Sequence, residues 1–235
     1  MPTKITGQAA RLVEECGGRY STELGIDLAR SNPDEIYKWF LAALLFGARI
    51  SGTIAVRSYR EFEQAAVLAP HRVLDAGWDR LVEILDRGGY ARYDFKTATK
   101  LLDVNRALLQ QYKGDLNLLH AAATDCLDLQ QRLKNLGKGI GDITVNIFLR
   151  ELRGIWSKAD PPPSERAITA AKDLGFVPSD MHDAPRMLEL LQDAWRADRM
   201  APEAFADFEA ALVRYGTKGT KGTKRRRNSR IETGR

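Results

Sequence analysis

The sequence predicts an all-α protein. Apolar residues recur at helical spacing along most of the 235 residues, as in Ile36, Phe40, Ala43 and Leu44. The strict alternation of polar and apolar residues that is typical of an exposed strand is hard to find. Breaks rich in Pro, Gly and Asn divide the chain into about ten helices with short connections.

The composition narrows the class of protein. A chain of 235 residues with 44% hydrophobic residues can bury a core without covalent staples. Its two cysteines, Cys16 and Cys126, are too few for a disulfide framework or a cysteine metal site. No apolar run is long enough to span a bilayer, and no export signal is visible at the start. We therefore expect a cytoplasmic protein without a membrane partner, a metal ion or another cofactor.

The positive charge is concentrated at the C-terminus. Residues 216–235 hold eight basic residues and one acid, Glu232, so residues 1–215 carry a formal charge of −2 out of the total of +5. The segment GTKGTKGTKRRRNSR has little to bury. We expect residues 1–215 to form the folded domain and residues 216–235 to be a disordered basic tail, which either solubilises the protein or binds phosphates loosely.

The helices follow one another between recognisable breaks. The segment WFLAALLFG, residues 39–47, is apolar nearly all round but short, which predicts a buried core helix.

Residues 130–158 are locally basic, with six cations against two acids. The breaks lie at residues 31–33, 69–70, 88–89, 114, 137–141, 161–163, 177–179 and 201–202.

The most informative segment is LKNLGKGIGDITVNIFLRE, residues 133–151. Helical periodicity ends at Leu136 and resumes from Ile143, and Gly137, Gly139 and Gly141 lie between them. The pattern predicts two helices joined by a very short glycine turn. The second helix begins with unpaired N–H groups at the positive end of its dipole, and such groups can hold a phosphate without any side chain.

The turn has a restricted set of interpretations. Ile140, its apolar residue, is expected to point inward and hold the two helices together. A P-loop would need Ser or Thr after Lys138, where Gly139 stands, and a dinucleotide-binding turn would need a preceding strand. A tight helical hairpin without a ligand remains the alternative to a phosphate site.

The segment LGKGIGDITVN, residues 136–146, resembles the hairpin of the helix-hairpin-helix DNA glycosylase superfamily, which includes endonuclease III. Residues 39–49 resemble the early core helix of that family, and Tyr93-Asp94-Phe95-Lys96 resembles the start of the helix before the hairpin. Residues 164–176 resemble the helix that follows the catalytic loop. The resemblance covers about residues 33–176 and implies a two-lobed fold with the hairpin at residues 125–153.

The resemblance also implies a function and a set of DNA-binding residues. A monomer would bind double-stranded DNA, with the backbone amides of Gly139, Gly141 and Ile143 on a phosphate, and would remove a damaged or mispaired base in base excision repair. Arg49 would enter the space left by the extruded base, or else be an exposed charge at a helix end. The implied DNA-binding residues are Arg49, Lys134, Gly137, Lys138, Gly139, Ile140, Gly141, Ile143 and Thr144.

The position of the catalytic carboxylate has two candidates. Asp160 follows the hairpin at about the expected distance, but three prolines come directly after it. Alignment through the end of the next helix, at residues 174–176, places Glu165 or Ser164 there instead. Neither carboxylate is catalytic if Asp160 only opens the proline turn. Trp156, just before this loop, is a candidate for lining the base pocket.

Two features of the family are missing from the sequence. Ile143 occupies the position of the lysine nucleophile, so lysine-dependent lyase activity is not expected. No cysteines follow Tyr215, so the iron-sulfur cluster loop is absent. The sequence therefore favours a monofunctional DNA N-glycosylase. The alternatives are a helix-hairpin-helix protein that binds DNA without catalysis, and a helical scaffold unrelated to DNA.

Overall fold

The computed structural model describes residues 7–90 and 92–217. These residues are mostly helical and form no β-strand, which confirms the all-α fold class. The helices are α1 (Gln8–Cys16), α2 (Tyr20–Glu23), α3 (Pro33–Phe46), α4 (Gly52–Gln64), α5 (Pro70–Arg87), α6 (Asp94–Tyr112), α7 (Leu116–Ala122), α8 (Cys126–Asn135), α9 (Asp142–Arg150), α10 (Glu165–Asp173), α11 (Ala184–Ala197) and α12 (residues 205–217). None of these helices is long and apolar enough to cross a bilayer.

The chain divides into two compact units. Among the described residues, the first is built from residues 7–23 and 162–217, and the second from Leu24–Pro161. The first unit therefore combines two segments that are far apart in the sequence, with α1 and α2 beside α10, α11 and α12. The second unit is continuous in sequence and contains α3 to α9, including the glycine turn.

The first unit has its own apolar core. Trp195 of α11 stacks on Phe208 of α12, with ring centroids 5.7 Å apart and an interplanar angle of 10°. Leu12 of α1 and Ala170 of α10 are buried in the same cluster. The carboxylate of Asp198, just after α11, accepts hydrogen bonds from backbone N–H groups at the start of α1, at 2.5 to 3.0 Å.

The end of α12 differs slightly from the prediction. The helix continues through residue 217, because Thr217 Oγ1 donates to the carbonyl of Val213 at 2.8 Å. The predicted tail began at Gly216, two residues earlier. The rest of the predicted tail, residues 218–235, lies outside the described residues.

Helix α3 is the centre of the second unit. It begins at Pro33, where the Asn32 side chain accepts hydrogen bonds from two backbone N–H groups of the first turn. Its residues from Trp39 to Leu45 are all buried, which confirms the predicted core helix. Phe40 packs edge-on against Phe148 of α9, with ring centroids 5.1 Å apart. This contact fixes α9, and with it the end of the glycine turn, against the core.

Helices α5 and α6 pack together along much of their length. Helix α5 consists of two helical segments that meet at Gly77, whose φ of 71° and ψ of 173° are not helical. Only glycine adopts that backbone conformation readily. Trp78 follows directly and is partly exposed to solvent.

Candidate nucleic-acid interface

The glycine turn, residues 137–141, connects α8 to α9 as the sequence predicts. Gly139 has a φ of +91°, which residues with a Cβ rarely adopt. Ile140 is buried with 6% exposure, as expected for the residue that points inward. A Cβ at Gly137 would lie 2.6 Å from Cγ2 of Val104, so the turn packs closely against α6.

The first N–H groups of α9 are open to solvent. We call the backbone N–H groups of Gly141, Asp142 and Ile143 the amide crown. Their residues are exposed, no side chain caps the helix, and they donate to no acceptor in the part of the chain that the structure describes. The first backbone bond of the helix is that of Val145 N–H to the Gly141 carbonyl at 3.1 Å. Three donors at the positive end of a helix dipole are suited to an anion.

Asp142 places a carboxylate beside the amide crown. An acid in the first turn stabilises a helix but would repel a phosphate. The Lys134 ammonium, in the last turn of α8, lies 2.5 Å from Asp142 Oδ1. The lysine therefore offsets part of that repulsion and links the two helices across the turn. Lys138, in the turn itself, is exposed and has no ion pair with any described residue.

Thr144 anchors the first turn of α9 to the end of α3. Its side chain is 3% exposed and lies against the backbone of Gly47, one residue beyond α3. Arg49 follows two residues later and is exposed, without an ion pair or hydrogen bond among the described residues. The predicted residue Thr144 is thus buried against Gly47, two residues before the predicted residue Arg49.

Replacing Gly47 with alanine is expected to destabilise this anchor. The added Cβ would overlap Thr144 Oγ1 and lie 3.0 Å from Thr144 Cβ, although the φ of −70° suits any residue. Overpacking of this kind costs about 1–3 kcal/mol of unfolding free energy, to be measured by urea denaturation. Thr144→Ala in the same chain should recover a substantial part of the loss, and purely additive effects of the two substitutions would contradict the contact.

Lys100 of α6 is a cation at the turn that the sequence did not single out. A Cβ on Gly139 would lie 3.4 Å from the Lys100 Cδ, and the Lys100 ammonium donates to the carbonyl of Leu44 at 3.2 Å. The acceptor belongs to the last turn of α3, where a cation offsets the helix dipole. Burial lowers the pKa of Lys100 to about 8.

The charge of Lys100 is therefore expected to titrate near pH 8, the value of its lowered pKa. As the pH rises from 7 to 9, the amine loses its proton beside the turn, and affinity for a phosphate-bearing ligand should fall about two- to threefold. Unfolded Lys100 keeps its proton up to about pH 10.4, so between pH 8 and 10 the unfolded state binds more protons and stability should rise with pH.

Lys100→Arg and Lys100→Met are the matched controls for this titration. Arginine stays protonated over the whole range, so the arginine variant should show little pH dependence in binding between pH 7 and 9. The methionine variant should show the weaker binding at every pH. A pH profile that is the same in wild type and both variants would exclude Lys100 as the titrating group.

The locally basic stretch of the sequence does not form a basic surface. Of its six cations, Lys138 alone has no ion pair or hydrogen bond to another described residue. Arg150 is 2% exposed and lies next to buried Glu151. The other four are engaged as follows: Arg132 with Asp128, Lys134 with Asp142, Arg153 with Asp160, and Lys158 with the carbonyls of His120, Ala121 and Ala123. A surplus counted along the sequence overstated the charge available at the surface.

Asp160 lies in the loop after α9, in the second unit. Its side chain is 63% exposed and forms an ion pair with Arg153 Nη1, whose side chain is 9% exposed. Arg153 Nη2 also donates to the carbonyl of Pro161 at 2.6 Å, so the arginine holds the start of the proline segment. The Asp160 carboxylate is therefore accessible, but its charge is partly balanced.

Glu165, the other candidate, belongs to the first unit. It is the first residue of α10 and is exposed, after Ser164, whose Oγ accepts from the N–H of Ala167 at 3.3 Å. An acid at this position stabilises the helix through its dipole. The two candidate carboxylates thus lie in different structural settings, one in a loop and one at a helix start.

Trp156 is a core residue, so the prediction that it lines a pocket is wrong. It is 3% exposed, and its ring stacks on His120 with centroids 4.7 Å apart. Its Nε1 donates to Asn117 Oδ1 at 2.9 Å and to Ser31 Oγ at 3.2 Å. The N–H group of this buried indole thus has hydrogen-bond acceptors, one of them on α7. Trp156 therefore connects the loop after α9 to α7.

Sequence reasoning missed Lys100 and Gly47, which come close to the turn only through the packing of α3 and α6. The one available signal was that Lys100 lies four residues before Val104 on the apolar side of α6. Comparison of the chain with protein-family models, with curated proteins and with solved structures gives no match, so the candidate interface rests on these contacts alone.

Proposed function

We propose that the protein binds duplex DNA through the glycine turn and removes a damaged or mispaired base, in the manner of a monofunctional helix-hairpin-helix DNA glycosylase. The observation that carries the proposal is the amide crown. Its three exposed N–H groups lie at the start of α9 without a side-chain cap. Backbone donors of this kind position a nucleic acid by its phosphates, whatever its sequence.

Cations around the crown support a phosphate ligand. Lys138 is in the turn, Lys100 packs against Gly139, and Arg49 follows the Gly47 contact with Thr144. Residues 1–215 carry a formal charge of −2, so this local arrangement must act against the overall field. The proposed binding is therefore strongly dependent on salt.

Asp160 is the residue to which we assign the chemistry. An exposed carboxylate close to an extruded nucleotide would stabilise the positive charge that develops on the sugar as the bond to the base breaks. Arg153 would fix the position of Asp160 through their ion pair. Glu165 is the second candidate for the same role.

A non-catalytic DNA-binding protein is the second candidate function. It is favoured by the ion pair of Asp160 with Arg153, because a carboxylate already balanced by a cation stabilises a neighbouring positive charge less well. In this alternative Asp160 and Arg153 only hold the proline segment in place.

Two measurements on the full chain test the proposal. Fluorescence anisotropy with a duplex of about 20 base pairs measures binding, and a panel of duplexes with alkylated, oxidised, deaminated or mispaired bases measures release of free base. Salt-dependent binding with release from at least one duplex is expected. Binding without release leaves the second candidate, and no binding at low salt rejects both.

A further inference from the structure

Two exposed aromatic side chains lie together on α5 and α6. Trp78 is 39% exposed and Phe95 is 59% exposed, and their ring centroids are 5.1 Å apart. We call this pair the aromatic patch. The indole orientation is fixed, because Trp78 Nε1 donates to Thr99 Oγ1 at 3.1 Å, and that hydroxyl donates to the Phe95 carbonyl at 3.0 Å.

Helix α6 contributes both to the aromatic patch, through Phe95, and to the surroundings of the glycine turn, through Lys100. Lys100 contacts Gly139, and Phe95 lies five residues earlier on the same helix, about 7 Å along its axis. Lys96 lies between them, one turn before Lys100, and is exposed. A strand whose phosphate occupies the amide crown would pass the exposed Lys96 to reach the aromatic patch.

The charged residues near the aromatic patch favour a nucleic acid as its ligand. The exposed cations Arg92 and Lys96 flank Phe95 in sequence, whereas the exposed acid Asp79 follows Trp78 on the other helix. Phosphates would therefore lie on the α6 side, with a base over the rings. Exposed aromatic rings beside cations are the arrangement by which proteins stack unpaired bases without regard to sequence.

We propose that the aromatic patch stacks an unpaired base of the strand whose phosphate is held at the amide crown. The preferred ligand is then a duplex interrupted by unpaired nucleotides, rather than a continuous duplex. This inference rests on the proposed DNA binding and specifies the form of DNA that is bound. Stacking of one base corresponds to a preference of about tenfold.

Tryptophan fluorescence gives a direct readout of the patch. Trp39, Trp156 and Trp195 are buried, with exposures of 0%, 3% and 2%, so acrylamide should quench mainly Trp78. The probes are an intact duplex of about 20 base pairs, the same duplex with three unpaired thymidines in one strand, and that strand alone. We expect the interrupted duplex to bind about tenfold more tightly than the intact duplex and to protect Trp78 from acrylamide.

Phe95→Ser is the decisive variant, with Leu118→Ser as its control, since Leu118 is also exposed but lies on α7. The Phe95 variant should bind both duplexes equally and the intact duplex within twofold of wild type, while the Leu118 variant keeps the preference. Equal binding of both duplexes by wild type, or a Trp78 already protected in the free protein, overturns this inference alone. Failure to bind either duplex overturns it together with the proposed function.

Discussion

Asp142→Pro is expected to bind duplex DNA at least about tenfold more weakly than Asp142→Ala. Proline removes one N–H group of the amide crown, and a hydrogen bond to a charged group contributes about 1.5–3 kcal/mol. Asp142 is the first residue of α9, and Gly141 before it is extended, with a ψ of −178°. Proline is favoured as the first residue of a helix and requires an extended residue before it. Both requirements are met here, so the helix should form normally.

Comparison with Asp142→Ala separates the effect of the lost N–H group from the effect of the lost carboxylate charge. Both substitutions remove the Asp142 carboxylate and its ion pair with Lys134, but alanine keeps the N–H group. We expect Asp142→Ala to bind DNA somewhat more tightly than wild type, because a negative charge is removed from beside the phosphate. Anisotropy at several salt concentrations measures the difference, and urea unfolding should place the two variants within about 1 kcal/mol. Equal affinities would show that the crown does not contact DNA.

Asp160→Asn is expected to reduce base release at least about 100-fold while changing duplex affinity less than threefold. Loss of one preorganised charge or donor at a reacting centre commonly has an effect of this size. The asparagine oxygen can still accept a hydrogen bond from Arg153, whose side chain is 9% exposed, so the loop should keep its structure. Single-turnover release from the best substrate of the panel measures the effect.

Glu165→Gln is the matched control, since it neutralises the other candidate carboxylate. If Asp160 is catalytic, the Glu165 variant should retain release within about threefold of wild type. The reverse result would assign the chemistry to Glu165. Unchanged release in both variants would remove both carboxylates from the mechanism.

Local sequence patterns were sufficient to predict the core helix and the glycine turn. The run from Trp39 to Leu45 is apolar on every side of the helix. Every orientation of that helix at the surface would expose apolar side chains to water, so the helix is buried. At the turn, the conformation of Gly139 and the burial of Ile140 follow from residue type and spacing. These features depend on neighbours within a few residues, which the sequence displays directly.

The surroundings of the turn could not be predicted in this way. Lys100 is 39 positions away from Gly139 in the sequence and reaches it through the packing of α6. The charge of a side chain does not reveal whether the side chain is exposed. Arg150 is buried, although it was counted in the locally basic stretch. Asp160 likewise gave no indication of its pairing with Arg153, which depends on an irregular loop. Side-chain partners of this kind are decided by tertiary structure.

The first unit is built from two segments that are far apart in the sequence, which has a consequence for biosynthesis. Chains emerge from the ribosome N-terminus first, and domains generally fold as units. Helix α1 is complete early, but Asp198, which caps it, is translated 191 residues later than Gly7. Leu24–Pro161 can assemble while α1 still waits for its partners. A nascent chain that stalls before α11 would therefore present the apolar side of α1 to chaperones.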